Sequence, residues 1–295
     1  MNNLRILVLY GSQPSRNTLE LVEEAEKLGH QVLSGPISEV SSLVSGEGSR
    51  FWLRREEVTG FDLCFLRSFG PGSVEQVTRR ISALEHMEIS GIKVVNSTYP
   101  FRRSRDKYAT QFTLQAAGLP IPETFTSESL ARSYEMAEEM VSLVYKPILG
   151  SMGRGSIKFE DADLAYNAFK SLSRFYQPFL LQRYVENPGR DIRVFVVGGE
   201  CLGVVAKYAP PGSWKTNVAQ GGRMVEIEAS EELVDMGLRA AEAMGLEYCG
   251  VDIIEGPGGP VVLEVNASPG WQGFHRATGI NVAKVVVEHG VSLVE

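Results

Sequence analysis

The sequence has little cysteine: three residues in 295, Cys64, Cys201 and Cys249, widely spaced and with no CxxC pair. A disulfide framework and a cysteine-type zinc site are thereby excluded, and a reducing, cytoplasmic setting is the expectation. No apolar run approaches the roughly 18–20 residues needed to cross a bilayer, so no membrane association is expected. No basic stretch leads into an apolar segment with a small-residue cleavage site, so no secretory signal is expected either. Positive charge is in deficit, with 29 Lys and Arg against 36 Asp and Glu and a formal charge of −7. That argues against nucleic acid as a partner. The GxGxxG fingerprint of dinucleotide binding and the GxxxxGK[ST] phosphate loop are both missing. The four histidines (His30, His86, His275, His289) are scattered, with no Ser or Cys arrangement for nucleophilic catalysis. They read as surface or core filler.

What remains is ordinary for a folded chain, 43% hydrophobic and 22% charged. The length predicts two domains or one domain of several lobes. Leu4–Tyr10 is a nearly continuous apolar run and predicts a buried strand of a parallel sheet. Leu19, Val22, Ala25 and Leu28 recur at helical spacing and stop at Gly29. Gln31–Leu33, Leu63–Arg67 and Lys93–Asn96 follow as strands, which predicts a doubly wound α/β unit. Asp106–Ala117 predicts a helix ended by Gly118. Beyond it, antiparallel hairpins are expected. Val141–Lys146 and Ser156–Phe159 flank a glycine-rich turn, and Asp191–Val197 and Glu200–Tyr208 flank Gly198-Gly199. Glu231–Met244 reads as a helix, Glu247–Ile254 and Val261–Val265 as strands, and Asn281–His289 as a closing helix.

Three stretches carry chemistry. In KPILGSMGRGS, Lys146 ends a strand and Gly150, Gly153 and Gly155 follow. Glycines let backbone amides crowd around an anion, and the lysine adds a point charge for phosphate. A plain hairpin turn with a surface lysine is the alternative. In the second stretch, Glu264 and Asn266 stand two apart on one strand and share a face, where Asp252 of a neighbouring strand can meet them. Three hard oxygen donors suit Mg²⁺. Acids on otherwise apolar strands need partners, because unpaired buried charge is costly. Acids at solvent-facing strand ends are the alternative. In the third stretch, Gln182-Arg183-Tyr184-Val185-Glu186 ends one strand, and Asp191-Ile192-Arg193 opens the next. Lys215-Thr216-Asn217 and Gly221-Gly222-Arg223 come after a polar loop. Cations beside a glycine-rich loop suit a site that handles phosphate and carboxylate together.

Taken in order, these segments resemble the ATP-grasp superfamily, and within it the RimK-type ligases, which attach amino acids, often glutamate, to a carboxylate. The resemblance rests on Asp106-Lys107, KPILGSMGRGS, GRDIRVFVVGGE, WKTNVAQGG, and GVDII with LEVNASPGWQGFHRATGINVA, and extends from Leu4 to about His289. It implies an N-terminal doubly wound α/β (pre-ATP-grasp) lobe over 1–98, then a two-lobed ATP-grasp domain with antiparallel sheets over 99–295, the small lobe about 120–183 and the large lobe about 184–295. It implies that Lys107 and Lys146 hold nucleotide phosphates under a loop containing Gly150, Ser151, Gly153 and Gly155. Gln182, Arg183, Tyr184 and Val185 would form the hinge that holds adenine, and Asp191 a ribose or nucleotide contact. Lys215, Thr216 and Asn217 would form a second phosphate loop. Asp252, Glu264 and Asn266 would ligate Mg²⁺ or Mn²⁺, two ions in all. Arg193, Arg223 and Lys146 would be the catalytic cations, with Gly221-Gly222 giving backbone amides access to an acyl phosphate. Arg183 departs from the family pattern, which often has an acid there; Glu186 is a candidate to compensate.

The chemistry implied is two-step. A carboxylate attacks the γ-phosphate of ATP to give an acyl phosphate, and an amine then displaces phosphate to form an amide. Such catalysis rests on positioning and charge neutralisation. LCFLRSFG, WKTNVAQGG and EVNASPGW are most similar to archaeal tetrahydromethanopterin:α-L-glutamate ligases. That likeness implies L-glutamate as the amine, tetrahydromethanopterin as the carboxylate acceptor, acceptor contacts from Arg67, Trp214 and Trp271, and a homo-oligomer. Acceptors on a protein tail, a deazaflavin cofactor or an amino-group carrier protein share most of these motifs. A non-catalytic ATP-binding regulator is the reading from another class. Both lysines and the full Asp252/Glu264/Asn266 set stand against it.

Overall fold

The structure is a computed structural model that describes residues 3–150, 153–216, 221–228 and 230–294. It divides into two compact units: Met1–Arg102 with Leu246–Tyr248 and Ala267–Glu295, and Arg103–Gly245 with Cys249–Asn266.

In the first unit the apolar run forms β1 (Arg5–Tyr10), with Ile6 to Leu9 fully buried. Helix α1 (Arg16–Lys27) starts at Ser15, whose side chain accepts from the Thr18 amide, a donor the first turn would otherwise leave unpaired. β2 (Gln31–Pro36) lies parallel to β1. An antiparallel three-stranded sheet follows, β3 (Val40–Ser45), β4 (Gly48–Leu53) and β5 (Glu56–Glu57). The sequence reading passed over it, because β3 is exposed along nearly its whole length and has no buried face to give an alternating pattern. β6 (Leu63–Leu66) returns beside β1; α2 (Val74–Ile89) opens with a Ser73/Gln76 capping box; β7 (Lys93–Val95) completes the sheet, and α3 (Thr98–Arg105) follows it. The order β2-β1-β6-β7, parallel throughout, is doubly wound as expected.

In the second unit, α4 (Lys107–Ala116) is capped by Asp106. Then come β8 (Thr124–Ser127), α5 (Leu130–Met140), β9 (Leu143–Tyr145), β10 (Ile157–Phe159), α6 (Ala162–Ser173) and β11 (Phe179–Arg183). The four strands make an antiparallel sheet, order β10-β9-β11-β8. Met140, Leu143, Tyr145, Phe169, Phe179 and Leu181 join it to α5 and α6 in one buried cluster.

The second sheet of this unit holds β12 (Arg190–Val197), β13 (Glu200–Tyr208), β14 (Arg223–Glu226), β15 (Tyr248–Gly256) and β16 (Gly259–Asn266), in the order β14-β13-β12-β15-β16. Helix α7 (Glu231–Met244) covers one face. Gly237 allows this, since a Cβ there would stand 2.5 Å from Val194. Helix α4 is tied to β16 by Gln111, whose amide donates to the Leu263 carbonyl at 2.9 Å.

The chain ends in the first unit with α8 (Gln272–Thr278) and α9 (Val282–Ser292). Gly290 lets α9 sit against β6, because a Cβ there would be 2.5 Å from the Phe65 ring. Asn96, fully buried, ties three segments of this unit together. Its amide nitrogen donates to the carbonyls of Tyr248 and Ala267, both at 2.8 Å, and its oxygen accepts from the amides of Glu247 and Tyr248. Every hydrogen-bonding position of the side chain is thus used.

Candidate active site

The second unit contains a cleft lined by residues of both of its sheets and of the glycine-rich loop. Its lining combines apolar and aromatic side chains (Val144, Tyr184, Val185, Ile254, Leu263 and Trp214) with charged ones. The charged part is assembled by strand register. Asp191 and Arg193 stand two apart on β12, and Asp191 lies opposite Lys207 of β13. Asp252 of β15 lies opposite Glu264 of β16, with Asn266 two residues further on.

Both pairings depend on a bulge. The β12–β13 register shifts between Phe195 and Val196, and the β15–β16 register between Asp252 and Ile253. A regular hairpin turning at Gly198-Gly199 would set Lys207 opposite Arg190 and so on the other face of the sheet. Likewise an unshifted β15–β16 pair would set Leu263, not Glu264, opposite Asp252.

Asp252 is buried and doubly held. Arg193 donates to both of its oxygens, at 2.7 Å each, and the Lys207 ammonium lies 2.8 Å away. Burial alone would raise its pKa, but these two cations outweigh burial and bring it to about 2. Lys207, 2% exposed, also lies 3.6 Å from Asp191. Asp191 accepts from the Thr216 hydroxyl, yet burial still pushes its carboxyl above the usual range. Arg193 loses hydration by burial, but Asp252 and Glu264 more than offset this and strengthen its hold on the proton. Glu264, half-buried, makes no hydrogen bond or ion pair among the described residues.

Lys107, Lys146 and Lys215 line the same cleft. Lys146 donates to the Gln182 side chain, which donates in turn to Thr124. Desolvation lowers the Lys146 ammonium to about 8, against a partial opposing pull from Glu264. Lys107 donates to the Gly150 carbonyl at 2.6 Å and Lys215 to the Gly153 carbonyl at 3.0 Å, so both reach the backbone of the glycine-rich loop. Gly155 packs on Pro147, where a Cβ would come within 2.8 Å. Ser151 and Asn217 lie outside the described residues.

At the hinge, Arg183 turns its guanidinium out to Glu123 at 2.7 Å and the Met140 carbonyl at 3.0 Å. Its backbone amide bonds to Glu123, leaving Tyr184 and Val185 on the cleft wall. Tyr184 meets Trp214 edge-on, with ring centres 6.3 Å apart, so Trp214 joins the apolar lining. Glu186 is exposed and is not part of the cleft wall.

Three residues expected at the site stand elsewhere. Arg223, exposed, lies opposite Tyr208 in the register and over its ring at 5.1 Å, hence on the face away from Asp191 and Lys207. Arg67 and Trp271 belong to the first unit and are buried against each other, the guanidinium 4.5 Å from the ring centre. Arg67 also donates to the Tyr248 hydroxyl and the Pro269 carbonyl, both at 3.0 Å. Both side chains are thereby occupied in packing. Conversely, Lys207 and the apolar lining residues Val144, Ile254 and Leu263 escaped the sequence reading. Nothing short of the bulged register points to Lys207.

The donor set fits a hard divalent cation. No trio of His, Cys, Asp or Glu side chains among the described residues could hold a metal ion. Two carboxylates opposed across β15 and β16, with one amide beside them, supply the oxygens instead.

Comparison with known proteins identifies the family. Residues 104–289 match the RimK-like ATP-grasp domain family. The chain is 30% identical over 278 residues to the tetrahydromethanopterin:alpha-L-glutamate ligase of Methanosarcina acetivorans, covering 85% of this chain and 86% of that one. It is 30% identical over 290 residues to a probable alpha-L-glutamate ligase of Stenotrophomonas maltophilia, covering 97% and 98%. The ATP-grasp ligase PsnB, solved with a phosphomimetic variant of its minimal precursor, Mg and ADP, superposes with a TM-score of 0.78 at 22% identity, covering 98% of each chain. The chain therefore belongs to the RimK-like ATP-grasp family and is an ATP-dependent ligase.

Proposed function

We propose that the protein joins the amino group of L-glutamate to a carboxylate of a small-molecule acceptor, tetrahydromethanopterin, with ATP as the activating substrate. The observation that carries the reaction class is the convergence of Lys107, Lys146 and Lys215 with Asp252 and Glu264 in one cleft that also has apolar lining. Glutamate is supported by the names of both relatives above, and the pterin by the Methanosarcina one.

The roles follow from the geometry. Tyr184, Val185, Ile254 and Trp214 provide an apolar slot for the base. Lys107 and Lys215 exchange the loop carbonyls of Gly150 and Gly153 for phosphate oxygens, and Lys146 adds its charge from the strand end. Asp252, Glu264 and Asn266 would hold Mg²⁺, two ions when the nucleotide is present, and the metal would supply neutralisation of phosphate charge. Arg193, fixed by Asp252, offers a rigid cation to the acyl phosphate as its charge develops. No side chain need act as a nucleophile, because the acceptor carboxylate attacks phosphorus and the amine attacks the acyl carbon. Arg223 lies off this face and has no part in the set.

The test is ADP release from Mg-ATP and L-glutamate, with and without tetrahydromethanopterin, followed by the mass of the acceptor. Pterin-dependent release and a product heavier by one glutamyl unit are expected. Release with another acid but none with the pterin would replace the acceptor. ATP binding without release in any acid panel would overturn the ligase chemistry proposed.

A further inference from the structure

The charged part of the cleft lining is closed on itself. Asp191, Asp252 and Glu264 face Arg193, Lys207 and Lys146, so three carboxylates balance three cations. The surplus positive charge lies further out, at Lys107, Lys215 and Arg154 beside the glycine-rich loop. Such an arrangement attracts a polyphosphate but offers a lone divalent cation no net negative charge. The residue expected to ligate that cation is also occupied. One Asp252 oxygen is taken by Arg193 alone, and the other is shared between Arg193 and Lys207. Lys207 is 2% exposed, yet it lines the cleft. Its position opposite Asp191 exists only because of the bulge in β12 and β13.

We infer that Lys207 is a positioning residue that masks Asp252 in the empty enzyme and moves to the nucleotide phosphates, so that cation and nucleotide bind the site together. The inference rests on the assignment of Asp252 to the metal set, and it concerns a residue outside that set. Lys207 has two anions within 3.6 Å, Asp191 and Asp252, and a third, stronger partner in the form of a polyphosphate would draw it off and free Asp252 from it. The two ligands are then coupled through one side chain, and by linkage each tightens the other equally.

The experiment is a Mn²⁺ titration followed by electron paramagnetic resonance, on nucleotide-free protein and on protein saturated with ADP. In the wild type, ADP should tighten Mn²⁺ binding by about tenfold or more. Lys207→Met should tighten Mn²⁺ binding to the nucleotide-free protein by about fivefold and shrink the ADP-dependent gain. Lys207→Arg should keep the wild-type pattern. The double variant Asp191→Asn, Lys207→Met has the wild-type net charge and keeps buried charge balanced if the single variant fails to fold. Tighter Mn²⁺ binding there too would identify unmasking, since net charge is constant. If neither methionine variant binds Mn²⁺ more tightly than the wild type, Lys207 is structural and the inference is overturned. An equal Mn²⁺ affinity with and without ADP in the wild type would overturn it as well. Absence of any Mn²⁺ binding, even with ADP, would instead remove the metal assignment on which it rests.

Discussion

The two units hold buried arginine in opposite ways. In the first, Arg67 is paired only with neutral groups: a tyrosine hydroxyl, a proline carbonyl and a tryptophan face. In the second, Arg193 grips with two parallel hydrogen bonds a carboxylate, Asp252, that lines the cleft. The first arrangement fixes packing. Its partners cannot leave, and its Nε has no partner and no access to solvent. The second is open to a ligand at its other members, because Asp252 and Lys207 are ions that line the cleft. A buried cation is thus read by its partners and by the space beside it, not by burial alone.

Four measurements bear on that contrast. Glu264→Gln should lower the rate of ADP release by about a thousandfold while circular dichroism stays native, since the side chain makes no hydrogen bond among the described residues and the amide keeps its size. Near-native turnover would strip the second unit of its assigned chemistry. Arg67→Met should do the reverse, lowering stability in urea by about 2 kcal/mol with the KM for ATP unchanged. A changed KM with unchanged stability would make Arg67 a binding residue and erase the difference between the units. Third, Lys146 should lose its charge as pH rises through 8, so ADP affinity should fall about tenfold between pH 7 and 9, and not in Lys146→Met. The sign for stability is opposite. The folded-state value lies below the ordinary 10.5, so the unfolded chain binds more protons between 8 and 10.5, and the nucleotide-free protein gains stability with rising pH there. A flat ADP profile would show Lys146 to be neutral or remote from phosphate. The smallest effect is expected from the thiols. Burial raises Cys64 in the first unit and pushes Cys249 in the second up to about 12, so neither should react with Ellman's reagent at pH 8 in native protein. Fast labelling of one of them would reveal opening of the unit that holds it.

Much of the site was legible because its residues carry their meaning locally. Lys146 before three glycines and Glu264 two residues from Asn266 need no tertiary knowledge to be singled out. The helices that begin at Asp106 and end at Gly245 were equally plain from their caps. The β3–β4–β5 sheet was not, because β3 has no buried face, β5 is only two residues, and β4 buries only Phe51 and Leu53 on its face, too few for a period. Arg67 and Trp271 looked like surface chemistry because aromatic and guanidinium groups serve binding and packing alike. Arg223 looked like a site cation because sequence order places it just after the polar loop, but its register turns it to the other face.

The sequence by itself determined many of the elements, the family and the chemical kinds at the site, because strand runs, caps and glycine spacing are properties of neighbouring residues. Tertiary structure alone decided which charges meet. Two one-residue bulges set Lys207 opposite Asp191 and Glu264 opposite Asp252. A strand alternates faces with period two, so a single inserted residue moves every side chain beyond it across the sheet. Nothing in the local composition of Phe195-Val196 or Asp252-Ile253 announces that insertion.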